Sequence, residues 1–221
     1  MSKTKSYISG SLKGISRSIN QDRVMILNNK RSNVFAVFDG VSSYLESYKY
    51  IENFIYLLKE KNDKEIISKN NITAILTEIH KELLNLPFRG MSTLCLILID
   101  KTDLSKIYYL NVGDSPLYAI TPQSITKLTK DDVSYPGSNV LTKCLGAYNL
   151  FLEDFDLKQL KIPEKILLCT DGFANLMEKD IKSFFNAFQF KRLTTIKNKL
   201  MELQEGKNND DSTFILIKNE L

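Results

Sequence analysis

Val34-Phe35-Ala36-Val37-Phe38-Asp39-Gly40 is a run of five apolar residues that closes on a carboxylate and a glycine. An apolar run of this length, rich in β-branched and aromatic residues and ended by a turn signal, predicts a strand buried on both faces. A carboxylate at the end of such a strand needs a cation, a cage of hydrogen bonds or solvent. The glycine that follows allows a backbone carbonyl to approach whatever the carboxylate binds.

Aspartates stand at the ends of three further predicted strands. The four acids are Asp39 after 34–38, Asp171 after 165–170, Asp210 before 212–217, and Asp22 before 23–27. Taken singly, Asp39 or Asp171 could equally cap a turn, but four acids at strand ends predict one shared centre. Oxygen ligands without accompanying cysteine or histidine suit Mg²⁺ or Mn²⁺ rather than zinc or copper.

The composition is that of an ordinary soluble globular protein. The 221 residues are 43% hydrophobic and 25% charged, which suits one domain with a sizeable core. The net charge of +4 is small and dispersed along the chain, so we expect no nucleic-acid partner. No apolar stretch is long enough to cross a membrane or to serve as a signal peptide, and no membrane partner is expected.

Three cysteines, Cys95, Cys144 and Cys169, have no CxxC spacing. Cys95 and Cys169 lie inside apolar runs, which predicts buried free thiols and a reducing compartment. The expected location is therefore the cytoplasm.

Hydrophobic periodicity predicts an α+β fold. Strands are predicted at 6–9, 23–27, 34–38, 92–99, 106–112, 116–120, 124–128, 150–157, 165–170 and 212–218. Amphipathic helices are predicted at 43–61, 72–86, 175–188 and 193–203, the second with Asn71 as its cap. Because the strands come in runs and the helices in pairs, we expect an antiparallel β-sandwich flanked on both sides by pairs of helices.

Eight short motifs, in this order and spacing, resemble the metal-dependent protein phosphatases of the 2C type over about residues 6–218. They are Arg17-Ser18-Ile19-Asn20-Gln21-Asp22, 35–40, Gly90-Met91-Ser92-Thr93, Asn111-Val112-Gly113-Asp114-Ser115, 128–131, Leu145-Gly146, Thr170-Asp171-Gly172 and Asp210-Asp211-Ser212-Thr213. The resemblance implies a single phosphatase 2C-like catalytic domain, residues 1–221, of the small bacterial kind.

The resemblance also implies a two-metal centre that activates water to hydrolyse phosphoserine and phosphothreonine. Its metal ligands would be Asp22 (directly or through water), Asp39, the Gly40 carbonyl, Asp171 and Asp210, with Asp114 or Asp131 at a weaker third site. Arg17 would hold the substrate phosphate, and its planar fork suits two phosphate oxygens. Two metals can activate water and clamp the reacting oxygens, so no side-chain nucleophile is needed.

One departure from the family concerns the residue after Asp39-Gly40. Many members have a histidine or a methionine there, whereas this chain has Val41-Ser42-Ser43. The family histidine is a candidate general acid, and Val41 cannot donate a proton. The single histidine, His80, lies on a predicted helix, where we expect an ordinary surface or boundary residue.

Two further departures surround the predicted site. Pro116 replaces the arginine that follows Gly-Asp-Ser in the family, which weakens Asp114 as a third-site ligand. The segment 131–145, which corresponds to the family's mobile flap, is short. Asp211 is expected only to order the turn into the last strand.

Two other functions remain open beside the phosphoprotein phosphatase. One is a phosphatase-fold binding module with little turnover, and the other is a phosphatase for a small phosphate ester. The predicted phosphatase would be a cytoplasmic monomer that opposes a Ser/Thr kinase.

Overall fold

The computed structural model describes residues 6–219. Its strands are β1 (Ser6–Leu12), β2 (Arg23–Asn28), β3 (Ser32–Phe38), β4 (Leu94–Asp100), β5 (Ile107–Val112), β6 (Leu117–Ile120), β7 (Ile125–Lys127), β8 (Lys158–Leu160), β9 (Lys165–Cys169) and β10 (Ser212–Lys218). Its α-helices are α1 (Ser47–Lys64), α2 (Ile72–Leu83), α3 (Asp171–Lys179), α4 (Ile181–Phe188) and α5 (Leu193–Gln204).

The strands form two five-stranded antiparallel sheets. One sheet has the order β1-β10-β9-β6-β7, and the other has the order β2-β3-β4-β5-β8. The sheets pack face to face, with α1 and α2 outside the second sheet and α3 to α5 outside the first. The predicted α+β sandwich is therefore confirmed, with a helix pair on one side and three helices on the other.

Strand β3 lies at the centre of this packing and is buried along its whole length. Phe35 and Val37 face the other sheet, whereas Val34, Ala36 and Phe38 face the α1 and α2 side. Successive side chains of a strand point to opposite faces, so an apolar residue at every position is what a layer between two cores requires. The strand predicted from 34–38 is confirmed on both faces.

The first and last strands of the described chain pair with each other. In the β1–β10 ladder Ser6 stands opposite Lys218, and Leu12 stands opposite Ser212. The ends of the described chain therefore lie together at one end of the sandwich, while the loop after β1 and the turn before β10 lie together at the other.

The strands from 92 to 128 do not form one continuous meander. Strands β4 and β5 pair in one sheet, and β6 and β7 pair in the other. The chain crosses between the sheets at Gly113, whose φ of +99° favours glycine. The crossing brings Asp114 to the same end of the sandwich as Asp39.

Two predicted elements are wrong in detail. Residues 150–157 do not form a strand; they contain a short 3₁₀ helix, Leu152–Phe155, in which Asp154 accepts a hydrogen bond from the Phe151 N–H (2.9 Å). The helix predicted over 175–188 is two helices, α3 and α4, because Asp180 leaves the helical conformation and its carboxylate accepts from the Ser183 N–H.

Asn71 and His80 also differ from their predicted roles. The Asn71 carboxamide does not cap α2; its oxygen accepts from the Ser68 N–H (2.8 Å) in the preceding turn. His80 is 1% exposed rather than a surface or boundary residue, and it packs against Phe155. Burial lowers the pKa of the His80 imidazole, which indicates a neutral core residue.

The three cysteines are all buried free thiols, as predicted for Cys95 and Cys169. Within residues 6–219, no helix has both the length and the apolar character needed to cross a membrane.

Candidate metal centre

Antiparallel pairing collects the predicted acids at one end of the sandwich. Asp39 follows β3 and Asp22 precedes β2, which pairs with β3, so both lie at the same end of that sheet. In the other sheet Asp171 follows β9 and Asp210 shortly precedes β10, which pairs with β9. The topology therefore brings together acids that lie up to 188 residues apart in the sequence.

A cavity of about 300 Å³ opens between these strand ends. Its lining residues are Arg17, Asp39, Gly40, Val41, Ser42, Thr93, Asp114, Asn139, Leu141, Asp171, Asn175 and Asp210. Four of these residues are aspartates and one is an arginine, so the cavity presents clustered negative charge beside a single cation. An opening with this lining suits a polar, charged ligand rather than an apolar one.

Asp39 and Asp171 face each other across this cavity. A hydrogen bond between their carboxyl groups contributes to the pKa shifts of both residues, and such a bond requires that one of the two carries a proton. Burial, and then the charges of Asp22 and Asp171, raise the pKa of Asp39 well above its usual range. Burial also raises the pKa of Asp171. These shifts mark the pair as a site that takes up positive charge.

Asp22 lies behind the cavity and is 3% exposed. Its Oδ2 accepts a hydrogen bond from the Thr170 hydroxyl (2.9 Å), whereas its buried Oδ1 has no partner within residues 6–219. Burial raises the pKa of Asp22 to about 8, and the charges of Asp211 and Asp171 act in the same direction. A buried carboxylate oxygen without a donor is an open ligand position.

The two candidates for a third metal site occupy different places. Asp114 lines the cavity, and burial followed by the charge of Asp171 raises its pKa to about 6. Asp131 lines a neighbouring cavity instead and pairs with Lys127 (Nζ to Oδ2, 2.7 Å). Asp114 thus shares the cavity with the main acids, while Asp131 stands beside it.

Arg17 reaches the cavity from the loop between β1 and β2. Its guanidinium forms a forked pair with Asp210, with Nε donating to Oδ1 (2.8 Å) and Nη2 donating to Oδ2 (2.6 Å). The side chains are 31% and 42% exposed, so solvent screens this pair, and such pairs contribute about 1 kcal/mol or less. Arg17 can therefore exchange Asp210 at small cost for another anionic group that offers two oxygen acceptors.

Asp211 fixes the loop that carries Arg17, a role that its position in the sequence did not predict. Its Oδ1 accepts from the Gly14 N–H (2.8 Å), and its Oδ2 accepts from the Gln21 N–H (2.7 Å). The two donors bracket the loop, so one buried carboxylate holds both of its ends. The expectation that Asp211 only orders the turn into β10 is incomplete.

Two residues outside the acid set shape the same end of the sandwich. Thr93 accepts from the Asp39 N–H through its hydroxyl (3.2 Å), and its own N–H donates to the Asp39 carbonyl (2.9 Å). At Gly172, a Cβ would come within 2.0 Å of the Asp211 carbonyl oxygen. Glycine is therefore required where α3 approaches the turn before β10.

The donor set fits a pair of hard divalent cations. Within the described part of the chain, no three acidic, imidazole or thiol side chains are spaced as the ligands of one metal ion. Even so, Asp22 with its unpaired oxygen, the neighbouring Asp39 and Asp171, and Asp114 form a cluster of acids that needs protons or cations to balance its charge. Carboxylates and a backbone carbonyl are the ligands that Mg²⁺ and Mn²⁺ prefer.

One known protein family matches most of the chain in sequence. The sequence profile described as protein phosphatase 2C matches residues 13–205. No curated protein matches the chain in sequence.

Solved structures of similar fold cover nearly the whole chain. A PPM Ser-Thr phosphatase from Mycobacterium smegmatis, solved with cacodylate, is 18% identical with a TM-score of 0.76, over 96% of this chain and 97% of its own. The serine/threonine phosphatase Stp1 from Staphylococcus aureus is 18% identical with a TM-score of 0.79, over 100% and 97%. The catalytic domain of the serine threonine protein phosphatase PstP, solved with two manganese ions, is 19% identical with a TM-score of 0.75, over 97% of each chain. At these identities the likeness establishes the fold.

Proposed function

The chain belongs to the protein phosphatase 2C family, and we propose that it hydrolyses phosphoserine and phosphothreonine in proteins with two Mg²⁺ or Mn²⁺ ions as cofactors. The observation that carries the proposal is the convergence of Asp39, Asp114, Asp171 and Asp210 with Arg17 on one cavity. A phosphomonoester is a dianion, so this cavity can accept it only if cations neutralise the acids first.

Asp39, Asp171 and Asp210, with the Gly40 carbonyl and Asp22 directly or through water, would hold the metals. Bound there, the metals would supply a water nucleophile at neutral pH and stabilise negative charge on the phosphoryl oxygens. Thr170 orients the carboxylate of Asp22 by donating to its Oδ2. Thr93 holds the backbone of Asp39 in place through hydrogen bonds to both the N–H and the carbonyl of that residue. A third ion, if the protein takes one, would use Asp114 together with Asp171, or Asp131.

Arg17 would position the substrate phosphate. Its forked contact with Asp210 has the geometry that two phosphate oxygens require. The guanidinium would leave Asp210 for the phosphate once that carboxylate is engaged elsewhere, and the weakness of the exposed pair makes the exchange easy. Asp211 keeps the loop in place during the exchange because it holds Gly14 and Gln21 rather than Arg17 itself.

The first experiment is p-nitrophenyl phosphate hydrolysis against Mn²⁺ and Mg²⁺ concentration. We expect activity that rises with the metal, disappears with EDTA and falls by orders of magnitude in Asp39→Asn. Asp103→Asn is a matched control, because Asp103 is a partly exposed acid in the turn before β5, outside the cavity lining. A folded parent protein that stays inactive at all metal concentrations would refute the proposal and favour a binding module of the phosphatase fold.

A substrate panel separates phosphoproteins from small esters. Phosphoserine and phosphothreonine peptides should be hydrolysed with higher kcat/KM than small phosphate esters such as glycerol phosphate. The reverse order would favour the small-ester phosphatase. The proposal includes a protein kinase that supplies the phosphoprotein, a single 1–221 catalytic domain acting as a monomer, and no nucleic-acid or membrane partner. The three free thiols support a cytoplasmic location.

A further inference from the structure

The rim of the catalytic cavity is formed by three loop segments of unusual composition. They are 15–19 around Arg17, 41–45 after Gly40, and 133–141 after β7, and each contributes residues to the cavity lining. In a chain that is 25% charged, Arg17 is the only charged residue in these segments. The rest of the rim is serine, asparagine, glycine, proline, tyrosine and aliphatic residues.

The same three segments expose large apolar side chains. Their exposed members are Ile15 (62%), Ile19 (48%), Leu45 (83%), Tyr135 (66%) and Val140 (64%). Among residues 6–219, fourteen large apolar side chains are exposed, and five of them lie in these three segments, each within four residues of a residue that lines the cavity. Scattered exposed apolar residues are normal, whereas a cluster beside a cavity marks a contact surface.

The charged residues next to these segments have hydrogen-bond partners within the protein. Lys13 donates to the Arg17 carbonyl (2.7 Å), Glu46 pairs with Lys49 (2.5 Å), and Asp132 accepts from the Gly113 N–H (3.0 Å). Of these three, Glu46 is paired with an opposite charge, whereas Lys13 and Asp132 contact neutral backbone groups. When the phosphate of a phosphopeptide enters the cavity, the residues on either side of the phosphate would contact the aliphatic and neutral polar side chains of the three segments.

We propose that this protein selects phosphoserine and phosphothreonine sites flanked by uncharged, apolar residues, which contact the apolar rim formed by Ile15, Ile19, Leu45, Tyr135 and Val140. The inference rests on the proposed phosphatase function and adds the substrate class. Acidic or basic flanks would lose hydration against these apolar side chains without gaining an opposite charge from them. Apolar flanks gain by removing rim side chains from water.

The test compares one phosphothreonine peptide in three versions, with leucine, aspartate or lysine at the two positions on each side. The quantity measured is kcat/KM for each peptide divided by kcat/KM for p-nitrophenyl phosphate. Burying about half of one leucine-sized side chain corresponds to about a tenfold preference. We expect the leucine version to exceed both charged versions by about that factor.

Single substitutions test which residues cause the preference for the leucine peptide. Leu45→Ser and Val140→Ser should each reduce it several-fold, and both residues are too exposed for the fold to depend on them. Tyr56→Ser is the matched control, because Tyr56 is an equally exposed apolar residue (60%) on α1, outside the rim. A control that reduces the preference as much as Leu45→Ser would overturn the assignment to the rim.

Failure of the inference differs from failure of the proposed function. Hydrolysis of p-nitrophenyl phosphate with equal or reversed peptide preference overturns the inference and leaves the phosphatase intact. If no ester is hydrolysed, the affinity for the same peptides, measured by fluorescence anisotropy, tests the inference instead. Tighter binding of the leucine peptide that Leu45→Ser weakens would support the rim as the contact surface. Equal affinities for the three peptides would overturn the inference. A dimer in light scattering that Leu45→Ser dissociates would assign the rim to a second copy instead.

Discussion

Removing a buried acid should stabilise the metal-free protein at alkaline pH. The pKa of Asp22 is raised from 3.8 to about 8, chiefly by burial. Between these values the folded protein keeps a proton that the unfolded chain has lost, so the free energy of unfolding falls as the pH rises. One pKa unit corresponds to about 1.4 kcal/mol, so this group alone costs the folded protein about 4 kcal/mol at pH 7.

Asp22→Asn removes this titration. The asparagine oxygen can still accept from Thr170, but its NH₂ group would occupy the position of the Oδ1 that has no partner. An unsatisfied buried donor costs about 1–3 kcal/mol at every pH. We therefore expect the variant and the parent to be about equally stable at pH 5, and the variant to be more stable by about 2–4 kcal/mol at pH 8.

Urea denaturation followed by circular dichroism, in EDTA at pH 5, 6, 7 and 8, measures the difference. Asp103→Asn is the control: hydrogen bonds from Ser105 and Lys106 lower the pKa of Asp103 to about 2, so it is ionised in both states above pH 5 and its removal should give a pH-independent difference. If the Asp22→Asn difference is also flat from pH 5 to 8, or if the variant is the less stable protein at pH 8, Asp22 is not held in its neutral form by burial.

Three other predictions concern the cavity and its supporting loop. Mn²⁺ at a hundred times its dissociation constant should stabilise the parent protein by about 2.7 kcal/mol. In differential scanning fluorimetry, Asp39→Asn should lose most of the rise in melting temperature that Mn²⁺ causes in the parent. Equal rises in both proteins would mean that the ion binds elsewhere. Asp211→Asn replaces one acceptor oxygen with an NH₂ group that faces a backbone N–H, so it should lower the free energy of unfolding by about 2–3 kcal/mol. It should also raise KM for a phosphopeptide more than it lowers kcat, because the Arg17 loop loosens. An unchanged KM would contradict the role of Asp211 in holding this loop. Val41, which the resemblance places at the position of the family histidine, lines the cavity and cannot donate a proton. We therefore expect phenyl esters to react much faster than alkyl esters; similar rates would mean that another group protonates the leaving oxygen.

Local patterns predicted the parts of the fold that depend on local chemistry. The run 34–38 indicated a strand buried on both faces because it has an apolar residue at every position, and β3 is such a strand. The last strand, predicted over 212–218, has those bounds in the structure. The acids at strand ends could be recognised because a carboxylate next to a buried strand is destabilising unless a cation, hydrogen bonds or solvent compensate its charge.

Other features depend on contacts that no local pattern contains. The Asp211 carboxylate accepts hydrogen bonds from Gly14 and Gln21, which lie 197 and 190 residues away in the sequence. The burial of His80 depends on the packing of α2 against the 3₁₀ helix that carries Phe155. The interruption at Asp180 could have been anticipated, since aspartate three residues before Ser183 is a capping arrangement, but the apolar periodicity on either side obscured it.

The pairing of β1 with β10 has a consequence for how this fold can be joined to other chains. Ser6 and Lys218 are neighbours across one ladder, and both strands lead from there towards the cavity at the opposite end of the sandwich. A short linker could therefore connect the two ends, and new ends could be opened in an exposed turn such as 121–124 between β6 and β7, giving a circular permutant. For the same reason the fold could be inserted into a surface loop of a host protein, entering and leaving at adjacent points, with the end that carries the cavity facing outward.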